Sequence, residues 1–390
     1  MKTLKNTVVI NIYFKLNPEC YLIKGKKNGV ILDLINLKVY ILDNEETKIL
    51  TSAEKNDVVS EDSEFLINLK ERCLGNFYSN RIYIDKLRVG SLSNADNPNL
   101  LNLNRAFLEI NNTCNRNCLY CSYYGIKRTL GCMGCNKWDD FNVPLTIGRW
   151  KSLIDELIDL QCDDIVIMGG DLTLEWEKTI EILEYANGKF NSIQMTIHQQ
   201  NLSENIIKDI DGMANLIIQT EDPDDIKNND FTYLLVLQPD NRHYFNKVKD
   251  YENVLVDFVV DDKEDLVDLP IMLKNRIFPV DVYQFFHNLE FHPCIGNIFT
   301  ISNNGDVFTC PMIRDYKFGN IKNKKLYMIF NKKINEINEL WKLNLDKIEK
   351  CTHCEFRYVC IDCRSLEKSL TGKLKEKILC NYNPEEGEWL

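Results

Sequence analysis

The sequence predicts an α/β protein: a parallel sheet flanked by helices, preceded by a small α+β unit and followed by a cysteine-rich segment. Three observations carry that prediction. From Phe107 onward, short apolar runs alternate with helical stretches, the pattern of βα units joined by right-handed crossovers. The first 90 residues read instead as small strands and then helices. Fifteen cysteines are distributed unevenly, with none between residues 163 and 293.

A chain of 390 residues, 44% of them apolar, is long enough for two or three domains around a large core. The formal net charge of −11 excludes nucleic acid as a main partner, because phosphate binding needs a basic face. A basic peptide suits it better. No apolar window reaches the length of a membrane span, and the N-terminus lacks a small-residue cleavage site. Neither a membrane nor secretion is expected. In a long chain without a signal peptide, this many cysteines indicates metal or redox chemistry rather than a disulfide framework. They gather at 114–135 and 351–363, with Cys294, Cys310 and Cys380 around the second group.

Residues 8–42 read as strands, with Asn28-Gly29 marking a hairpin between Tyr21-Leu22-Ile23 and Val30-Ile31-Leu32. Asp43-Asn44-Glu45-Glu46 opens a helix with acid in its first turn. A second helix falls near Ser63–Leu74, where Phe65, Leu66, Leu69 and Cys73 recur at helical spacing. The polar run Ser91–Asn99 is the expected linker. Phe107-Leu108-Glu109-Ile110 is a strand, and Trp150, Leu153, Ile154, Leu157 and Ile158 form one helical stripe. Ile165-Val166-Ile167-Met168 is a buried strand ending in Gly169-Gly170-Asp171. Helix Trp176–Ala186 closes at Gly188. Further strands are Ile193–Ile197, Leu216–Ile218, Tyr233–Leu237 and Val254–Val260.

Cys114, Cys118 and Cys121 lie at spacings of four and three in a loop after the Phe107 strand. Structural zinc sites take four ligands, as do ordinary electron-transfer iron–sulfur clusters. Three thiolates suggest a cubane with one open iron, the alternative being an incomplete zinc knuckle. This C-x3-C-x2-C loop, with Tyr120 before its last cysteine, resembles the signature of the radical S-adenosylmethionine (radical SAM) enzymes. The resemblance implies that the open iron binds S-adenosylmethionine and that its reductive cleavage yields a 5′-deoxyadenosyl radical. It also implies an electron donor such as ferredoxin or flavodoxin, and a reducing, cytoplasmic setting. With six strands rather than eight, it implies a partial (β/α)6 TIM-like barrel.

Loops after the carboxyl ends of such strands carry the site. Gly169-Gly170-Asp171 resembles the family's methionine-binding turn, with Asp171 where Glu is usual. Tyr120 and Gln219, the latter ending the fourth strand, join the cofactor-binding candidates. His198 fits a structural role as well as a catalytic one, and no catalytic residue is assigned.

Cys294-x10-Gly305-x4-Cys310, then Cys351-x2-Cys354-x5-Cys360-x2-Cys363 and finally Cys380, resemble the SPASM extension of radical SAM enzymes. One residue is missing before Cys363 against the usual spacing. The resemblance implies two auxiliary four-iron clusters, hence three in all. Cys351, Cys354, Cys360 and Cys380 would hold the outer one. Cys294, Cys310 and Cys363 would hold the inner one, which leaves a ligand short. Cys132 and Cys135 lie outside both patterns; they complete the inner cluster, line the substrate path, or bind nothing. Cys20, Cys73 and Cys162 read as buried apolar residues.

The resulting organisation is a small α+β domain at 1–90, a radical SAM core at 100–285 and a SPASM domain at 286–390. The first resembles a PqqD-like leader-peptide recognition element. The implied function is maturation of a ribosomally made precursor peptide by hydrogen-atom abstraction, installing a cross-link. A thioether is favoured, because an open iron on the inner cluster would bind a substrate cysteine. One alternative is a sulfatase-maturing, formylglycine-forming enzyme. Pro311, where those carry Asp, counts against it. Another is a non-catalytic iron–sulfur or zinc scaffold.

Overall fold

The fold was obtained as a computed structural model, which describes residues 11–89, 102–125, 127–138, 142–227, 230–262, 264–266, 269 and 277–389. The expected linker Ser91–Asn99 lies outside the described residues.

The N-terminal unit contains β1 (Tyr13–Leu16), β2 (Cys20–Lys24), β3 (Gly29–Asp33), β4 (Lys38–Leu42), α1 (Asn44–Glu54), α2 (Glu64–Glu71) and β5 (Gly75–Tyr78). Strands β2, β3 and β4 form an antiparallel sheet in that order, while β1 pairs with β5. The Asp43 side chain accepts from the Glu46 backbone and the Glu46 side chain from the Asp43 backbone, a capping box that starts α1. The hairpin forms with a different turn from that expected. Lys24 pairs with Gly29, so the connection is the four residues 25–28 and Gly29 already belongs to β3. Cys73 also departs from expectation. It is exposed and takes a φ of 60° just past α2, where the chain must turn sharply into β5. Cys20 and Cys162 are buried as expected.

The core sheet is built from β6 (Arg105–Glu109), β7 (Lys127–Arg128), β8 (Asp164–Met168), β9 (Ser192–His198), β10 (Asn215–Thr220), β11 (Thr232–Leu237), β12 (Val254–Val260), β13 (Ile298–Ile301), β14 (Asp306–Phe308) and β15 (Gly319–Asn320). Its order is β15-β14-β13-β6-β8-β9-β10-β11-β12-β7. The six expected strands all form, and they lie parallel in sequence order. Among the described residues the sheet stays open. What the sequence reading lacked is β13, a seventh parallel strand that pairs with β6 from the cysteine-rich segment.

Helix α3 (Ile147–Asp159) is capped by Thr146 and buries Trp150, Leu153, Ile154 and Leu157. Ile158, the expected fifth member of that stripe, turns partly to solvent. Its neighbour α4 (Trp176–Ala186) ends before Gly188, whose φ is 72°. Fully buried Trp150, Leu153 and Ile154 join β6, β8 and β9 residues in one core. A second core welds the N-terminal sheet to the C-terminal segment. Ile23, Val30 and Leu32 pack there with Phe285, Phe356, Val359 and Tyr382.

Candidate metal and cofactor site

The cysteine loop leaves the end of β6 and is clamped at both sides. Asn111 Nδ2 donates to the Asp171 carbonyl at 2.7 Å. Asn112 donates to the Trp138 carbonyl at 2.8 Å and accepts from its amide at 2.7 Å. Inside the loop the Arg116 amide donates to Cys114 Sγ and its Nε to Cys118 Sγ, both at 3.4 Å. Donors aimed at sulfur suit thiolates.

Gly169-Gly170-Asp171 packs directly against this loop. A Cβ on Gly170 would lie 2.1 Å from the Thr113 carbonyl oxygen, and one on Gly169 would lie 2.4 Å from that of Asn111. These glycines are therefore required by the approach of two backbones, not only by a ligand. The Asp171 carboxylate accepts from the Thr173 amide at 3.0 Å and its hydroxyl at 2.6 Å, capping the next turn. It still lines a pocket together with Cys114, Cys118, Cys121, Gly170 and Gln219.

Tyr120 and Gln219 occupy this wall, with much of their polar capacity turned to the protein. Gln219 accepts from the Cys135 amide at 2.9 Å and donates to the Tyr120 hydroxyl at 3.2 Å. The Tyr120 hydroxyl in turn contacts Glu221. His198 accepts the Gln200 amide on Nδ1 at 3.2 Å, which leaves the proton on Nε2 to meet Glu221 at 2.9 Å. Burial works to raise the Glu221 carboxyl, but His198, Tyr120 and Arg116 outweigh it and bring its pKa down to about 2. Ligand atoms of Cys118, His198 and Glu221 lie within 4.8 Å of one another. With Glu221 committed to those donors, this trio forms a polar wall behind Cys118 rather than a separate ion site.

Glu221 was missed in the sequence, although a signal existed. The β9–β10 register sets Gln219 opposite His198, so an acid two residues on falls beside the imidazole. Arg116, Asn136, Lys137 and Asn201 also line the pocket and went unnoticed.

The loop from β7 to Trp138 decides where Cys132 and Cys135 go. Strand β7 pairs antiparallel with β12 at the sheet's far edge. Arg128 and Asp257, with fully buried side chains, bridge at 2.6 Å, and the Asp257 carboxylate also accepts the Leu130 amide at 2.7 Å. The chain then returns toward the first strands. Thr196 Oγ1 donates to the Met133 carbonyl at 2.6 Å, and the Asn136 amide to that of Gly169 at 2.7 Å.

This return splits the two cysteines. Cys135 lines the pocket of the first three; burial, then Cys114, Asp171 and Cys118, push its thiol up to about 12 against the pull of Arg128. Cys132 faces the other way. Its pKa is raised by burial and then by Cys310 and Cys363. That of Cys294 is raised by burial and then by Cys363, Cys132 and Cys310. Cys132 thus joins the three cysteines assigned to the inner set. At the outer set, Cys351 is raised to about 12 by burial, with Cys360 and Cys380 contributing, and Cys354 by burial with Cys360 and Cys351.

Neutral thiols crowded in low-dielectric surroundings suit metal-bound thiolates, which shed their protons on binding. By donor set, these crowded cysteines fit iron–sulfur clusters.

Residues 294–355 match the SPASM family, an iron–sulfur cluster-binding domain. Solved structures with similar overall shape include crystal structures of Streptococcus suis SuiB. The one bound to S-adenosylmethionine has 12% identity, covering 94% of this chain and 99% of that chain, with a TM-score of 0.45. Another SuiB structure has 12% identity, the same coverage and a TM-score of 0.46. The one bound to precursor peptide SuiA has 13% identity, the same coverage and a TM-score of 0.43. No curated protein sequence matches the chain. No helix among the described residues is long and apolar enough to cross a membrane.

Proposed function

We propose that this protein is a radical SAM/SPASM enzyme that matures a ribosomally made peptide. The observation that carries the reading is the pocket in which Cys114, Cys118 and Cys121 stand with Gly170, Asp171 and Gln219. A four-iron cluster held by three thiolates, with S-adenosylmethionine on its open iron, would supply a 5′-deoxyadenosyl radical there. The protein's own residues prepare that chemistry. Gly169 and Gly170 seat the methionine turn against the cysteine loop, and the Asp171 carboxylate offers an acceptor for an ammonium group. Buried Tyr120, Gln219 and His198, with half-buried Glu221 beside them, form a polar wall with fixed donors that would limit water around a reactive radical.

In this reading Cys132, Cys294, Cys310 and Cys363 hold the inner auxiliary cluster, and Cys351, Cys354, Cys360 and Cys380 the outer. The thioether expectation rested on an inner ligand being absent. With Cys132 beside the other three, a closed inner cluster that relays electrons is the better-supported role. A carbon–carbon or carbon–oxygen cross-link then fits best. Such a bond would require loss of one hydrogen atom, one proton and one electron. S-adenosylmethionine on the Cys114, Cys118 and Cys121 cluster would supply the hydrogen-atom acceptor, solvent would take the proton, and the cluster held by Cys132, Cys294, Cys310 and Cys363 would supply the electron acceptor. A thioether remains the second reading. The N-terminal unit would recognise the leader, and β4, a sheet edge bearing exposed Ile41, suits strand addition.

The test is cleavage of S-adenosylmethionine by anaerobically reconstituted protein, compared with the triple variant Cys114→Ala, Cys118→Ala, Cys121→Ala. Loss of all cleavage and of about a third of the iron is expected. Cleavage that survives the triple change ends the proposal. Mass spectrometry of the product distinguishes the bonds, since a thioether leaves a cysteine that iodoacetamide no longer alkylates.

A further inference from the structure

Arg116 and Tyr120 flank Cys118, two residues before it and two after, and both side chains turn inward to one carboxylate. The Tyr120 hydroxyl contacts Glu221 Oε1, and Arg116 Nη2 lies 3.7 Å from the same oxygen. His198 Nε2 meets the other oxygen at 2.9 Å. Each nitrogen of the Arg116 guanidinium has its own partner. Nε donates to Cys118 Sγ at 3.4 Å, Nη1 contacts the Gln200 carboxamide oxygen, and Nη2 faces Glu221. The Arg116 side chain is 21% exposed and that of Glu221 29%.

A partly exposed ion pair contributes little to stability, so the Arg116–Glu221 pair is not explained by its own strength. What it fixes is direction. Arginine's planar fork carries its donors in set positions. With Nη1 held by the turn after β9 and Nη2 by the residue after β10, Nε is left aimed at sulfur. The result differs between two thiols of the loop. Cys114 Sγ accepts a neutral backbone amide at 3.4 Å, whereas Cys118 Sγ accepts from a cation at the same distance. Hydrogen bonds to the sulfurs are one lever a protein has on the potential of an iron–sulfur cluster, and bonds from charged donors are the stronger kind.

We infer that Arg116 is a positioning residue of the Cys114, Cys118 and Cys121 site: aimed by Gln200 and Glu221, it hydrogen-bonds the Cys118 thiolate and makes the cluster held there easier to reduce. An added negative charge is stabilised by a nearby cation, most strongly where water is scarce. The Cys118 sulfur also lies within 4.8 Å of the Glu221 carboxylate, which opposes that charge. Removing Arg116 therefore deletes a cationic donor and leaves Glu221 less opposed, and both changes disfavour reduction. The step concerned is uptake of one electron from a one-electron carrier protein, and no bond forms or breaks in it. Arg116 acts through Cys118.

This inference rests on the function proposed above. A protein whose Cys114, Cys118 and Cys121 site takes up no iron, or whose EPR spectrum does not change on adding S-adenosylmethionine, fails that reading. One that passes both, with an unmoved midpoint in the variant, fails only this inference. The experiment is an EPR-monitored redox titration of full-length reconstituted protein against its Arg116→Met and Arg116→Lys variants, following the signal that responds to S-adenosylmethionine. Arg116→Met should lower its midpoint by at least a tenfold change in the one-electron equilibrium, about 59 mV. Arg116→Lys, which keeps the charge without the fork, should recover part of that fall. The auxiliary signals should hold and serve as the internal reference. If Arg116→Met does not retain the iron, Arg116→Gln, a polar side chain without the charge, carries the same test. A smaller or absent fall in whichever of these two retains the iron overturns the inference. So does loss of the iron from both, which would make Arg116 purely structural.

Discussion

Cys132 and Cys135 stand three residues apart on one turn of chain and serve different thiol groups. Cys132 interacts with Cys294, Cys310 and Cys363, and Cys135 with Cys114 and Cys118. The short loop between them joins the pocket of Cys114, Cys118 and Cys121 to the group of Cys294, Cys310 and Cys363.

Replacing each in turn should separate these roles. Cys132→Ser is expected to lose about four irons of roughly twelve while cleavage of S-adenosylmethionine persists. Cys135→Ser should retain all the iron. Iron analysis with Mössbauer spectroscopy reads both outcomes, and full iron in Cys132→Ser would remove it from the ligand set.

The Arg128–Asp257 pair pins that loop to the last core strand. Arg128→Met leaves a carboxylate buried without its cation, at a cost of about 3–5 kcal/mol. Chemical denaturation of the metal-free chain should show a loss of that size. Restoring most of it by adding Asp257→Asn would confirm that the unpaired charge is the cause.

Gly170→Ala should be far more damaging than a methyl group suggests. The added carbon would lie 2.1 Å from the Thr113 carbonyl oxygen, forcing the Gly169-Gly170-Asp171 turn away from the cysteine loop. Overpacking of this kind costs about 1–3 kcal/mol. Cleavage should fall at least tenfold, whereas Gly148→Ala in α3, where nothing lies within 4 Å and φ is not positive, should leave cleavage unchanged.

The Glu221 carboxyl, brought from 4.5 to about 2, gives an acid-side signature. A depressed folded-state value means that its stabilisation is present above the unfolded value and is lost as pH falls through the folded one. The metal-free protein should lose stability between about pH 4.5 and pH 2, and Glu221→Gln should lose less across that interval. Identical acid limbs in the two proteins would show that the hydrogen bonds from His198 and Tyr120 do not favour the charged form.

Strand β4 offers the last test. Ile41→Glu places a charge on the exposed edge strand, a change that discourages strand addition. Peptide modification should fall about tenfold, with stability within about 0.5 kcal/mol and peptide-free cleavage unchanged.

The six core strands were legible because each is an apolar run bounded by turn residues, and the grouping of Cys114, Cys118 and Cys121 in one pocket because all three lie on one short loop. The same logic explains the failures. Cys132 has no nearby partner in sequence; the residues it joins lie just before β13, just after β14 and at Cys363. The loop that carries it there is held by contacts distant in sequence, the Arg128–Asp257 pair and the Thr196–Met133 bond among them. Strand β13 was read as part of a separate cysteine-rich segment because nothing local to Ile298–Ile301 distinguishes pairing with β6 from pairing with a neighbour. The turn at 25–28 was misplaced by the usual preference for Asn-Gly, which here is overruled by the β2–β3 register.

The parallel pairing of β13 with β6 bears on how the chain can be made. On the ribosome, β6 emerges early and its partner only after most of the core has been synthesised. Until then its open flank is an unprotected template for aggregation. Closing a contact so distant in sequence is also slow. Late completion of the sheet would delay the finished cysteine environment until the C-terminal third has docked, so metal loading should follow translation rather than accompany it.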